Sequence, residues 1–401
     1  MASFTCEAVS GKGKRIKKVC EARNSGEVIK SLKDEGLYPV KVEEIVVGKE
    51  IRSPISFDKV KRKDIVFFCR QIATLLNAGI PLADALQIIS DQILNKNLRI
   101  AVSEVSEDVQ KGLPFSDAMK KQNVFPALLV HMVAASELSG TINKTMNRMA
   151  DNYEKDLSIS RKIKGAMVYP ILLGFVAIGA VVFIITTILP RFADMFESAN
   201  LELPALTKFL IKMSEVLRND WLVIVGAIVA IVVGFLYVAR TQVGRRTLDI
   251  LKLEIPIVKS TNIKIITARF ARTMSGLLSS GIPLVQSMEY VANVLENVIV
   301  KEKIMRAKED ISKGAELTDS LRKMGIFEKT VIHMMKIGEE SGKMDEILEN
   351  TANLYDGEVE TSIQSMASLV EPIMIIIMAG AVGFVVLSVI MPMFEMAGGI
   401  G

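Results

Sequence analysis

Cysteine and histidine are scarce in this 401-residue chain, which holds three of the first and two of the second. Cys6, Cys20 and Cys69 form no CxxC pair, and an odd count at irregular spacing excludes a disulfide framework and a zinc knuckle, leaving reduced thiols of the cytosolic kind. His131 and His333 have no second His or Cys close in sequence to complete a metal ligand set, so both read as structural or surface residues. No metal and no cofactor is expected. A phosphate loop is also missing. Gly338-Glu339-Glu340-Ser341-Gly342-Lys343 has the wrong glycine spacing, Met344 where a Ser or Thr binds magnesium, and two acids that repel phosphate. With no Gly-x-Ser-x-Gly nucleophile either, the chain reads as a non-enzyme. Excess charge of one sign is absent: 49 Lys and Arg stand against 45 Asp and Glu, with no basic stripe interleaved with aromatics, which excludes a nucleic-acid partner. The first residues, Met1 to Glu7, lack a basic stretch followed by an apolar core, so no cleavable signal peptide is expected and the N-terminus reads as cytoplasmic.

Apolar residues, by contrast, are in excess, at 50% of the chain with a mean hydropathy of +0.35. They concentrate in three uncharged runs, Ile171–Leu189, Trp221–Ala239 and Ile373–Phe394, each long enough to cross about 30 Å of hydrocarbon as a helix. Arg161, Lys162 and Lys164 precede the first run, and Arg240, Arg245 and Arg246 follow the second, which puts those flanks in the cytoplasm and the intervening loop outside. Three spans carry the C-terminus outside as well.

A repeat organises the chain. Phe68 to Leu82, containing Leu75-Leu76-Asn77-Ala78-Gly79-Ile80-Pro81-Leu82, returns as Phe270 to Leu284, containing Leu277-Leu278-Ser279-Ser280-Gly281-Ile282-Pro283-Leu284. Arg272 follows Arg70 by 202 positions, and the same offset pairs Gly112 with Gly314, Phe125 with Phe327, His131 with His333, Glu137 with Glu339, Tyr153 with Tyr355, Pro170 with Pro372 and Pro190 with Pro392. The repeat unit is therefore a cytoplasmic domain plus the span that follows it, and both copies run in the same direction. Helical spacing of Ile72, Leu75, Leu76 and Ile80 predicts a bundle of about six short helices per copy, the last continuing into the membrane. Gly79 and Gly281 suit left-handed helix ends, Pro81 and Pro283 suit the first turn of the next helix, Ser116 suits an N-cap, and Gly140 and Gly342 close a later helix.

Residues 1–50 differ. Phe4, Cys6 and Ala8 alternate as in a strand, Gly11 to Lys14 can turn, Ser25 can cap a helix through Glu35, and Leu37 to Val42 resumes strand character, giving a small α/β module. The expected fold is mainly α, an integral membrane protein with two tandem helical-bundle cytoplasmic domains, three transmembrane helices and this small N-terminal α/β module. The expected parts are module 1–50, repeat 57–168, span 169–190, periplasmic loop 191–220, span 221–239, repeat 259–370, span 371–394 and periplasmic tail 395–401.

The duplicated Leu-Leu-x-x-Gly-Ile-Pro-Leu, the Glu-x-Ser-Gly at 137–140 and 339–342, Tyr169-Pro170, Leu203-Pro204, Glu371-Pro372 and the ending Pro392-Met393-Phe394 resemble the inner-membrane platform family of type IV pilus and type II secretion systems, the PilC/GspF proteins. The resemblance spans nearly the whole chain. It implies a platform in the bacterial inner membrane that links a cytoplasmic assembly or retraction ATPase to pilin or pseudopilin subunits, beside inner-membrane alignment proteins and lipid, as a homo-oligomer. Gly338 to Gly342 and the terminal Pro-Met-Phe look more like the pilus branch, with the secretion platform as the alternative. A small-solute transporter or channel is the alternative of another class, disfavoured because the three runs carry no ionisable group.

Five residues stand out as partner-contact candidates: Arg70, Arg272, Glu137, Glu339 and Glu340. Each arginine can make an internal ion pair or contact the motor. Glu137 and Glu339 stand at helix ends where the dipole disfavours a carboxylate, so each either bonds the following amides or meets a partner. A purely local role predicts that Gln in their place costs little, because its amide oxygen still accepts. Glu340 adds local negative charge beside Glu339.

Overall fold

The structure, a computed structural model, describes residues 2–10, 15–22, 29, 37–45, 59–191, 194 and 205–398. It divides into two units, Met1–Lys59 and Val60–Gly401. The first contains a three-stranded antiparallel sheet in the order β2-β1-β3, from β1 (Ala2–Ser10), β2 (Arg15–Ala22) and β3 (Leu37–Ile45). A register shift between Glu7 and Ala8 interrupts the β1–β3 ladder. β2 carries no strong alternation and was not foreseen in the sequence. The turn at Gly11 to Lys14 and, apart from Ile29, the helix from Ser25 to Glu35 lie outside the described residues.

In the second unit each repeat builds six helices. The first set is α1 (Arg62–Asn77), α2 (Leu82–Gln92), α3 (Lys96–Gln110), α4 (Phe115–Lys120), α5 (Ala127–Ser139) and α6 (Ile142–Phe183). On α1 the buried positions Ile65, Phe68, Cys69, Ile72 and Ala73 recur at three- and four-residue spacing, which makes one face apolar and drives it into the bundle. Asn95 caps α3 by accepting from Leu98 N at 3.1 Å. Gly140 ends α5 in the left-handed conformation (φ 66°), letting Thr141 N donate to Ser136 O at 2.9 Å and satisfy a terminal carbonyl.

Between the repeats lie α7 (Ala205–Asn219), α8 (Trp221–Arg240) and α9 (Gln242–Glu254). The second set then follows as α10 (Pro256–Ser279), α11 (Leu284–Val294), α12 (Val298–Ser312), α13 (Leu317–Met324), α14 (Lys329–Ser341) and α15 (Met344–Gly398). The 202-residue offset survives in packing. Phe68 lies 5.3 Å from Phe125, and Phe270 lies 4.8 Å from Phe327, ring centre to ring centre. Their buried neighbours form one continuous core through both bundles.

Two sequence expectations shift here. Pro114, not Ser116, stands at the cap of α4, so Ser116 falls inside the first turn. The segment 191–220, expected as a loop, contains α7, whose Leu210 is buried against Ile185 and Leu189 at the end of the first span.

Among the described residues, three helices, Ile142–Arg191, Trp221–Arg240 and Met344–Phe384, are long and apolar enough to cross a membrane. The first includes a π-helical turn at Ile184–Ile188 and runs 50 residues, about 75 Å at 1.5 Å per residue, from bundle into span without a break. α15 does the same in the second repeat. The two lie side by side and parallel, as shown by the ion pairs Lys155–Asp356 (3.2 Å) and Lys162–Glu360 (2.7 Å) and by Gly174, where an added Cβ would meet Met374 Cε at 3.4 Å. Apolar side chains on the spans, among them Phe175, Ile231 and Ile376, point outward, as lipid contact requires.

Candidate functional site

The paired glutamates act as clamps between helices. α4 begins after Pro114, which has no side chain able to accept the free amides of the first turn. Glu137, from the last turn of α5, fills that gap. Its Oε1 accepts from Phe115 N at 2.6 Å, and its Oε2 accepts from Ser116 N at 3.2 Å and Ser116 Oγ at 2.7 Å. Glu339 repeats the arrangement on α13, accepting from Leu317 N at 2.7 Å, Thr318 N at 3.0 Å and the Thr318 hydroxyl. The carboxylate thus sits at the positive N-terminal end of one helix although it belongs to the negative end of another. The donors are not the following amides, as the sequence suggested, but amides 21 and 22 residues earlier. Glu340 is exposed, with Lys336 Nζ at 3.7 Å.

The paired arginines tie each bundle to its membrane helix. Arg70 on α1 donates to Asp151 at 2.6 Å, to Glu154 at 2.8 Å and to Asn147 at 3.2 Å, all on α6. Arg272 on α10 donates to Asp356 on α15. Asp356 stands 202 residues after Glu154, so the tie is duplicated. A second tie is duplicated beside it: Arg62 lies 3.8 Å from Asp156, and Lys264 lies 2.7 Å from Glu358. The first helix of each bundle is therefore locked to the helix that enters the membrane. Cys69, next to Arg70, is fully buried, and burial pushes its thiol well above the usual range.

Gly79 and Gly281 adopt left-handed φ values of 81° and 80° just past α1 and α10, and Pro81 and Pro283 cap α2 and α11. Gly342 closes α14 as Gly140 closes α5.

The seam between the repeats was not legible in the motifs. His131 on α5 stacks on Tyr290 of α11 with ring centres 4.3 Å apart, and its Nδ1 lies 3.2 Å from the tyrosine hydroxyl. Burial, followed by Lys120, lowers the His131 pKa, with Glu289 partly opposing. Glu296, in the turn after α11, pairs with Arg62 and with Arg269, which also donates to Asp156 at 2.9 Å. Burial alone would raise the Glu296 pKa, but Arg269 and Arg62 together hold it below the usual carboxylate range. Arg62, His131, Asp156, Tyr290 and Glu296 line a cleft of about 490 Å³. Tyr153 lines it with a hydroxyl that is buried and has no partner, whereas its counterpart Tyr355 donates to Glu328 at 2.8 Å. Pro126 occupies the place equivalent to Glu328, which removes the acceptor. The overlooked signal was departure from the repeat: Arg269, Tyr290 and Glu296 stand where the first copy has Phe67, Ile88 and Leu94.

These contacts join each cytoplasmic bundle to the helix that continues into a span and join the two bundles to each other. The family model described as type II secretion system (T2SS) protein F matches residues 68–190 and again 270–392, and the model of that protein's N-terminal domain matches residues 1–43. A type IV pilus assembly protein PilC of Thermus thermophilus is 34% identical over 403 residues, covering 99% of each chain. A protein of the same name from Myxococcus xanthus is 33% identical over 401 residues, covering 100% of this chain and 96% of that one. A type II secretion system protein F of Vibrio cholerae is 31% identical over 402 residues, covering 99% of this chain and 98% of that one. With both helical repeats and residues 1–43 of the leading module matched, the chain belongs to the type II secretion system protein F family.

Proposed function

We propose that this chain is the inner-membrane platform of a type IV pilus assembly system, coupling a cytoplasmic assembly or retraction ATPase to the insertion or removal of pilin subunits at the pilus base. The observation that carries this reading is mechanical. Each cytoplasmic bundle is tied by its first helix, through Arg70 or Arg272, to an unbroken helix that continues into a span. A push on either bundle therefore reaches the bilayer without crossing a flexible joint. The relatives of highest quoted identity carry pilus names, which favours the pilus branch, while a 31% identical relative named for type II secretion keeps the secretion platform as the second reading.

In this reading the N-terminus and both bundles are cytoplasmic, and α7 and the C-terminus face the periplasm, because Arg161, Lys162, Lys164, Arg240, Arg245 and Arg246 flank the cytoplasmic ends of the first two spans. The chain supplies position and the ATPase supplies energy. Glu340, exposed and outside the clamp, is the better motor contact of the two neighbouring glutamates.

The test is co-purification in detergent of the full chain with the assembly ATPase of the same genome, alongside ATP turnover by the chain alone. A complex that weakens as salt rises, with no turnover by the chain, supports the platform. Turnover that survives stringent purification, or solute flux through the chain in liposomes, overturns it.

A further inference from the structure

The contact between the two repeats is head-to-tail. One face of the first repeat, carrying Arg62, His131 and Asp156, meets a different face of the second, carrying Arg269, Tyr290 and Glu296. A two-fold arrangement would make each such pair occur twice. It does not: Ile88 and Leu94, the counterparts of Tyr290 and Glu296, are 40% and 93% exposed, and His333, the counterpart of His131, is exposed as well. A head-to-tail contact between two copies of one domain always leaves one unused face at each end.

The two unused faces differ in character from the pair already joined. On the first repeat, Phe67, Ile88 and Leu94 replace Arg269, Tyr290 and Glu296, so three exposed apolar side chains stand there beside the polar Gln87, Asp91 and Gln92. On the second repeat, Leu354 stands where Asn152 approaches Gly276 in the internal seam, and it is 48% exposed. Ile337, one helical turn beyond His333 on α14, is 57% exposed. Both ends have thus gained exposed apolar side chains, while the second keeps the Lys264–Glu358 ion pair where the seam has Arg62 and Asp156. Leu94 bare to solvent is costly for a soluble face that nothing covers.

Orientation permits a second copy. α6 and α15 run parallel into the membrane, so the movement that carries repeat one onto repeat two preserves the direction of the spans. Applying it once more places another chain in the same bilayer with the same sidedness.

We propose that the Phe67, Ile88 and Leu94 face of one chain docks on the His333, Ile337 and Leu354 face of a second copy, repeating between chains, with apolar contacts, the seam that polar groups make within each chain. This concerns self-association alone and stands whether the motor partner is that of a pilus or of a secretion system.

Cross-linking between two differently tagged full-length chains tests it, in a background with Cys6 and Cys20 replaced by Ser and the buried Cys69 retained as an unreactive thiol. One chain carries Ile88→Cys and the other His333→Cys, and a short bis-maleimide is applied to membranes. The expected product joins the two tags, in several-fold excess over 88-to-88 and 333-to-333 products. Dominance of either same-site product shows a two-fold interface and overturns the proposal. As a second measurement, Leu94→Asp is expected to raise the dissociation constant of the detergent-solubilised oligomer at least tenfold without lowering Tm, since the side chain packs on nothing within its own chain. No cross-link together with no effect of Leu94→Asp also overturns it.

Discussion

Glu137 and Glu339 show how one residue can hold two helices. Each carboxylate uses both oxygens on three donors at the start of a neighbouring helix. Gln at either place keeps one acceptor and puts an amide NH2 against donors on the other side, so Glu339→Gln is expected to lower stability by about 1–3 kcal/mol. Glu340→Gln, on an exposed side chain, is expected to stay within about 0.5 kcal/mol. Thermal or urea unfolding of the two variants side by side checks this, and equal stabilities would show that the clamp contributes nothing. The sequence marked Glu137 and Glu339 by their repeated place beside Ser-Gly. It could not name their partners, because the amides they serve lie two helices' ends apart in sequence and meet only when α4 and α5 pack.

Tyr153 makes the complementary case. Its hydroxyl is buried without a partner, while the same hydroxyl on Tyr355 reaches Glu328. Tyr153→Phe is therefore expected to be neutral or stabilising, and Tyr355→Phe to cost about 1–2 kcal/mol, because the hydrogen bond lost there is to a charged acceptor. Opposite ordering of the two unfolding midpoints would contradict this. The duplicated tyrosines look equivalent in the sequence; only Pro126 opposite Glu328 distinguishes them.

At the scale of elements, the 202-residue offset made the helices legible. Six helices per repeat, the last running into the membrane, follow from the apolar spacing and from the Gly and Pro punctuation, and the spans follow from their lack of charge. α9 was missed because the repeat gave no guide to it: the positions 202 residues earlier begin within β3. It nevertheless matters to the second bundle: Asp249, buried on α9, accepts from Val298 N at 3.0 Å and so helps to cap α12 beside Asn297. Ser116 was misplaced as a cap because the residue that caps α4 comes from another helix.

The seam between the bundles carries a pH dependence with a definite sign. The folded seam holds His131 below its ordinary pKa, so below about pH 6.5 the unfolded chain takes up a proton that the folded chain resists. Stability is full above that point and falls as pH drops toward the lower folded value. Glu296 acts in the same direction at lower pH, since its depressed folded pKa adds stability above the unfolded carboxylate value and loses it as pH falls through the folded one. Tm is expected to decline from pH 7.5 to pH 5.5, and His131→Phe, which keeps a ring against Tyr290, is expected to flatten that decline. Parallel Tm profiles for the two proteins would exclude His131 as the titrating group.

At the scale of the whole molecule, the charge pattern around the first two spans predicts which surfaces face which compartment. In a background freed of Cys6 and Cys20, a cysteine at Glu107 on α3 is expected to resist an impermeant maleimide in intact cells, and one at Lys208 on α7 to react. Reaction at 107 in intact cells would invert the topology. The repeat and the spans were readable at this scale because they are written into local composition. The joining of the two bundles into one core and one seam was not, because it depends on positions where the repeat departs from itself, such as Tyr290 and Glu296.

The central claim is that this chain serves as the membrane platform of a pilus machine, and the most direct measurement is the number of surface pili on cells whose copy of the gene is deleted and then restored. The account predicts loss of pili with pilin retained in the inner membrane, recovery with the intact chain, and partial recovery with Arg272→Leu, which removes one of the two ionic ties between its bundle and α15. Normal piliation in the deletion strain, with secreted proteins trapped in the periplasm instead, would contradict it.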